Sequence, residues 1–74
     1  MRNSKIKSIL ALAKCFNELE DEILTMSKSI YIYKIQGVNP YNINLMEEEK
    51  IEKMKTLIEI ESMIEEQIVE IAKG

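Results

Sequence analysis

The sequence predicts an all-α fold: an antiparallel hairpin of two long, coiled-coil-like helices that pairs with a second copy into a four-helix bundle. Three observations predict it. Apolar residues recur at alternating spacings of three and four through both halves of the chain. Gly37 and Pro40 punctuate the sequence at its middle and nowhere else within it. The halves carry opposite charge, so folding back brings complementary ends together.

In the first half, Ile9, Leu12, Phe16, Leu19, Ile23, Met26, Ile30 and Tyr33 occupy consecutive a and d positions of a heptad. This spacing predicts a helix over 4–36, about 48 Å long at 1.5 Å per residue. Gly37 suits a left-handed C-cap, and Asn39-Pro40 cannot continue a helix. The stretch from Ser29 to Ile35 is β-branched and aromatic, which locally favours a strand. Ile30 and Tyr33 nevertheless keep the heptad phase, so the stretch is assigned to the helix.

Residues 37–44 form the expected loop. Asn44, with Glu47 three residues later, reads as a capping-box-like start, and Glu47, Glu48 and Glu49 follow at the positive end of the helix dipole. The second helix is expected over 45–73, about 43 Å long. Its seam reads Met54, Leu57, Glu61, Ile64, Ile68 and Ile71, widened by Ile51, Ile58 and Ala72. Helices of matched length joined by a short connection fold antiparallel.

The charges agree with that topology. Residues 1–36 hold Arg2, Lys5, Lys7, Lys14, Lys28 and Lys34 against Glu18, Glu20, Asp21 and Glu22, a balance of +2. Residues 45–74 hold four lysines against nine glutamates, a balance of −5. The hairpin sets Glu65, Glu66 and Glu70 beside Arg2, Lys5, Lys7 and Lys14. Surface pairs of this kind contribute about 0.2–1 kcal/mol each and choose orientation more than they stabilise.

Both helices carry more apolar surface than one seam uses. Ile6, Leu10, Ala13, Leu24, Tyr31 and Ile35 in the first, and Ile60, Met63 and Val69 in the second, fall outside it. A contiguous patch of this kind marks an interaction surface. With 74 residues and one cysteine the chain also lacks the staples that small cores need. Leu10, Leu24, Tyr31, Ile35, Ile60, Met63 and Val69 are therefore the candidate apolar contacts, for a homodimer and for an unidentified protein partner.

Chemistry is limited by what is missing. The chain has no histidine, the usual general base, metal ligand and pH switch. It has no glycine-rich loop to cradle a phosphate, so no cofactor is expected. Cys15 has no partner for an intrachain disulfide and is expected to be a half-buried apolar residue. The apolar run Ile9 to Ala13 is too short for a secretory signal and is followed by Lys14. No segment approaches the ~18 apolar residues of a membrane span, and a cytoplasmic location is expected.

Carboxylates are the one cluster with chemical possibilities. If residues facing each other total about 81 in number, Glu18, Glu20, Asp21 and Glu22 lie at the height of Glu59, Glu61, Glu65 and Glu66. Most should be solvated. Glu18, Asp21, Glu22 and Glu61 are the candidates for an acidic binding face, and the alternative is a divalent-metal enzyme or metal-binding bundle. Glu18-Leu19-Glu20-Asp21 matches E-x-x-D, the second half of the paired E-x-x-E and E-x-x-D motif, and so resembles the carboxylate clusters of helical nucleotide pyrophosphatases. Glu61 is the single acid on the expected seam. The basic first turn could touch phosphates, yet no recognition helix or aromatic interleaving accompanies it, so nucleic-acid binding ranks last.

The second helix, Leu57-Ile58-Glu59-Ile60-Glu61 followed by Ile64-Glu65-Glu66 and Ile68, resembles the second helix of the hairpin region in phage late-gene regulators of the sigma-like ArpU type. Leu19 to Ile23 is compatible with the first helix of that hairpin. The resemblance implies a helical hairpin and a transcription-associated setting. It covers the hairpin only, and the DNA-binding helix pair of those regulators has no counterpart in these 74 residues. The expected function is thus a non-catalytic interaction module in a regulatory, inhibitory or adaptor role, such as a small phage or mobile-element protein acting on a bacterial host protein.

Overall fold

A computed structural model describes residues 2–73, with side chains from Ser4 onward. Two helices account for nearly all of them: α1, Arg2–Gln36, and α2, Pro40–Lys73. They pack antiparallel into a rod whose Cα atoms extend over 55 × 14 × 13 Å. The radius of gyration is 16.8 Å, against about 11 Å for a compact chain of this length. The β-branched stretch Ser29 to Ile35 is helical, as the heptad phase required.

The helix ends explain why the hairpin turns where it does. Gly37 has φ 73°, the left-handed conformation that costs a glycine least. Its N–H donates to the carbonyl of Lys34 at 3.3 Å, and the N–H of Val38 donates to the carbonyl of Tyr33 at 3.0 Å. This pair of bonds is a Schellman cap, satisfying carbonyls that the last turn of α1 would otherwise leave open.

The start of α2 differs from the expected one. The helix begins at Pro40 and not at Leu45, so the connection shrinks to 37–39. Asn39 is the N-cap: its Oδ1 accepts the N–H of Tyr41 at 2.9 Å, and its carbonyl accepts from Asn42 and Ile43. Proline suits the first helical position because its missing N–H would have had no helical partner there. Asn44, expected as the cap, lies inside the helix.

That earlier start moves the phase of α2. Ile43, assigned to the loop by sequence, is one of the two buried residues among those described, at 8% exposure beside Ile30 at 6%. Counting heptads from Ile43, the residues turned toward α1 are Lys50, Lys53, Leu57, Ile60, Ile64, Gln67 and Ile71, all half-buried. Leu57, Ile64 and Ile71 were expected there. Met54, Glu61 and Ile68 were expected too, and all three are exposed, while Lys53, Ile60 and Gln67 take their places. Ile60, read from sequence as spare surface, therefore belongs to the seam. In α1 the seam is the expected one from Ile9 to Ile30, with Ile9, Leu12, Phe16, Leu19, Ile23 and Met26 half-buried, whereas Tyr33, expected as its last position, is exposed beside the turn.

Among the described residues three interhelical ion pairs fix the register: Lys5 with Glu70, Glu22 with Lys53 at 3.4 Å, and Lys34 with Glu47 at 2.7 Å. The first joins the basic start of α1 to the acidic end of α2, in line with the charge distribution. The side chain of Arg2, grouped with that basic start, lies outside the described residues.

Candidate functional site

The two broad faces of the rod are chemically different. The seam centres are Ile9, Phe16, Ile23 and Ile30 in α1 and Ile43, Lys50, Leu57, Ile64 and Ile71 in α2. Antiparallel helices wind in opposite senses when viewed from one end. Residues one and four positions after a centre therefore project on the same side of the hairpin in both helices, and residues one position before a centre project on the other.

On the first side stand Ile6, Leu10, Ala13, Leu24 and Tyr31 of α1, with Ile51, Met54, Ile58, Ile68 and Ala72 of α2. All but Ala13 are exposed, Leu10, Ile58 and Tyr31 at 63–67%. Near the turn, a groove of about 350 Å³ runs along this side, lined by Ile30, Tyr31, Lys34, Glu47, Ile51 and Met54 among others. The lining contains residues one and four positions after seam centres from both helices, which places them on one face. The Lys34–Glu47 ion pair closes its upper end.

The other side is polar. Its positions hold Ser8, Cys15, Glu22 and Ser29 of α1 and Glu49, Thr56, Met63 and Glu70 of α2. The Lys5–Glu70 and Lys53–Glu22 ion pairs tie this side together. Lys53 shows how a cation is accommodated in a seam. Its side chain is 29% exposed, with the stem along the interface and the ammonium out at Glu22.

The candidate residues divide accordingly. Leu10, Leu24 and Tyr31 share the apolar face. Met63 lies on the ion-paired face, and Ile35 and Val69 point to the outer edges of the rod, exposed there. Ile60 is turned inward. Glu18 and Asp21 are exposed on the outer edge of α1, Glu22 is held by Lys53, and Glu61 is exposed on the apolar face. The carboxylates expected at one height thus point in several directions, and among the described residues no three acids come close enough to hold a metal ion. Cys15 is exposed, not half-buried, because its position is one before a seam centre, on the polar side.

Ile51, Met54, Ile58 and Ile68 are the residues that sequence reasoning placed elsewhere, in or beside the seam. Asn39-Pro40 as a cap and first helical residue was the signal that would have moved the phase. At mid-height the apolar face changes character: Asn17, Glu20, Glu61 and Glu65 stand between an apolar cluster near the turn and another near the open end, all four exposed.

No helix among the described residues is long and apolar enough to cross a membrane. The architecture defines a helical hairpin with one uncovered apolar face. Compared with protein-family models, curated proteins and solved structures, the chain matches none of them.

Proposed function

We propose that this chain is a non-catalytic protein–protein interaction module, a regulatory, inhibitory or adaptor hairpin that presents one apolar face to helices of another chain. The observation that carries the reading is the one-sidedness of the surface. Eight exposed large apolar side chains, Ile6, Leu10, Leu24, Tyr31, Ile51, Met54, Ile58 and Ile68, share one face, which the Lys34–Glu47 pair crosses near the turn, and the Lys5–Glu70 and Lys53–Glu22 pairs lie on the other. The area supports it. The accessible surface is 5818 Å², whereas a folded monomer of 8.6 kDa exposes about 4,700 Å². The excess, about 1,100 Å² spread over the elongated rod, is of the order of the roughly 800 Å² that one partner contributes to a standard interface.

Covering the face with two further helices yields the four-helix bundle anticipated from sequence, built with a second copy or with a different protein. The non-catalytic reading is supported by the spread of the carboxylates: Glu18 and Asp21 stand on the outer edge of α1, Glu22 is held by Lys53, and Glu20, Glu61 and Glu65 lie open to solvent on the apolar face. The likeness of α2 to the hairpin of ArpU-type regulators fits a regulatory role and brings no DNA-binding residue with it. A cytoplasmic setting belongs to the same proposal, since a lone exposed thiol suits a reducing compartment.

Comparative capture tests the reading. Proteins retained from host lysate by the wild-type chain should be lost with Ile58→Glu, on the apolar face, and kept with Thr56→Ala, on the opposite one. A retained set that ignores Ile58→Glu would remove the proposal.

A further inference from the structure

The apolar face has an acidic waist. Glu20 in α1 lies level with Glu61 in α2, given the register set on this face by Lys34 and Glu47, and Glu65 follows one turn on. All three carboxylates are exposed. The lysine that shares the face near the turn, Lys34, already neutralises Glu47. The waist also sits near the middle of the rod's length. Two copies docked face to face about a two-fold axis therefore bring waist onto waist, whether their turns lie together or at opposite ends. Six carboxylates would meet there, while the nearest lysines, Lys14 and Lys55, stand outside the face on the outer edges of the rod, an arrangement that like-charge juxtaposition disfavours in a desolvated interface.

Resting on the interaction-module reading, we propose that the face receives a helix from a different protein, one whose apolar stripe is interrupted at its centre by Lys or Arg. The spacing follows from the structure. Leu10 and Leu24 flank the waist on α1 and are about 21 Å apart at 1.5 Å per residue. The partner helix thus carries apolar anchors about two heptads apart with its cations midway. It lies along the groove between α1 and α2 in the helix-in-groove manner.

Two synthetic helical peptides of about thirty residues test this, the length of helix that spans most of the face. They share a Leu/Ile stripe and differ only in carrying Lys or Glu at the two central stripe positions. A fluorophore on Cys15, exposed on the opposite face, reports binding by anisotropy. The Lys peptide should bind at least about tenfold more tightly than the Glu peptide. Combined Glu20→Lys and Glu61→Lys should reverse the order, and Glu20→Gln, Glu61→Gln and Glu65→Gln together should bring the ratio near unity. By sedimentation the wild-type chain should be monomeric at micromolar concentration, and the triple Gln variant should dimerise.

Equal affinity for both peptides, absence of binding by either, or a tight wild-type homodimer would each overturn the proposal. The last result would make a second copy the occupant. Equal binding that Ile58→Glu abolishes would sink the charge selection and leave the interaction module standing.

Discussion

Replacing Gln67 by leucine should stabilise the hairpin, although it removes a polar residue from a small protein with ample apolar surface. Gln67 is half-buried in the seam, and its Oε1 is buried without a hydrogen-bond partner. An unmet buried acceptor costs about 1–3 kcal/mol, and leucine adds apolar burial at about 25 cal/mol per Å² beside the aliphatic seam. The residue is only half-buried, so the net gain should be about 1–2 kcal/mol. For a domain of this size that raises Tm by about 5–15 °C. Urea unfolding followed by circular dichroism should show a higher midpoint with an unchanged slope. Glu61→Leu is the matched control, because Glu61 is exposed one heptad position away. Measured where sedimentation reports a monomer, it should change stability by less than about 0.5 kcal/mol. If Glu61→Leu stabilises and Gln67→Leu does not, α2 is turned to the phase Met54-Glu61-Ile68, and the assignment of the two faces fails with it.

Other expectations rest on single features. Gly37→Ala meets open space but forces a left-handed backbone on alanine, so it should cost about 1 kcal/mol in thermal unfolding. Asn39→Ala should cost a similar amount, about 1 kcal/mol, by removing the cap of α2, whereas Asn44→Ala should cost less. A double-mutant cycle on Glu22 and Lys53 should return a coupling of no more than about 1 kcal/mol, reduced by salt, because Glu22 is 59% exposed. Cys15 should react with a thiol reagent in the native protein as fast as a free thiol peptide; slow reaction would place it under cover.

Much of this fold was legible because α1 speaks in one voice. Its heptad is apolar at every seam position, its end is marked by Gly37, and packing agreed with both except at Tyr33, which is exposed. The charge asymmetry likewise foretold the Lys5–Glu70 pairing. α2 was harder because it is apolar around a wide arc. Leu57, Ile64 and Ile71 fit two adjacent frames, one completed by Met54, Glu61 and Ile68, the other by Lys53, Ile60 and Gln67. Composition favours the first frame, since it holds two apolar residues beyond the shared ones. The second is realised because Asn39 and Pro40 start the helix early and commit Ile43 to the core. Lys53 can occupy the seam only because its ammonium reaches Glu22, a partner invisible along a single helix. Asn-Pro was read as a barrier, although the pair is equally a cap followed by a first turn. The surplus of apolar surface was legible, and its arrangement on one face required the phase of both helices together.

The most direct test of the central claim, that one face of the hairpin is the docking surface, is amide chemical-shift mapping of the isotope-labelled chain titrated with the Lys-centred peptide. The account predicts shifts concentrated at Leu10, Leu24, Tyr31, Ile51, Ile58 and Ile68, with Ser8, Glu22, Thr56 and Met63 silent. Shifts on the ion-paired face, or spread evenly around both helices, would contradict it.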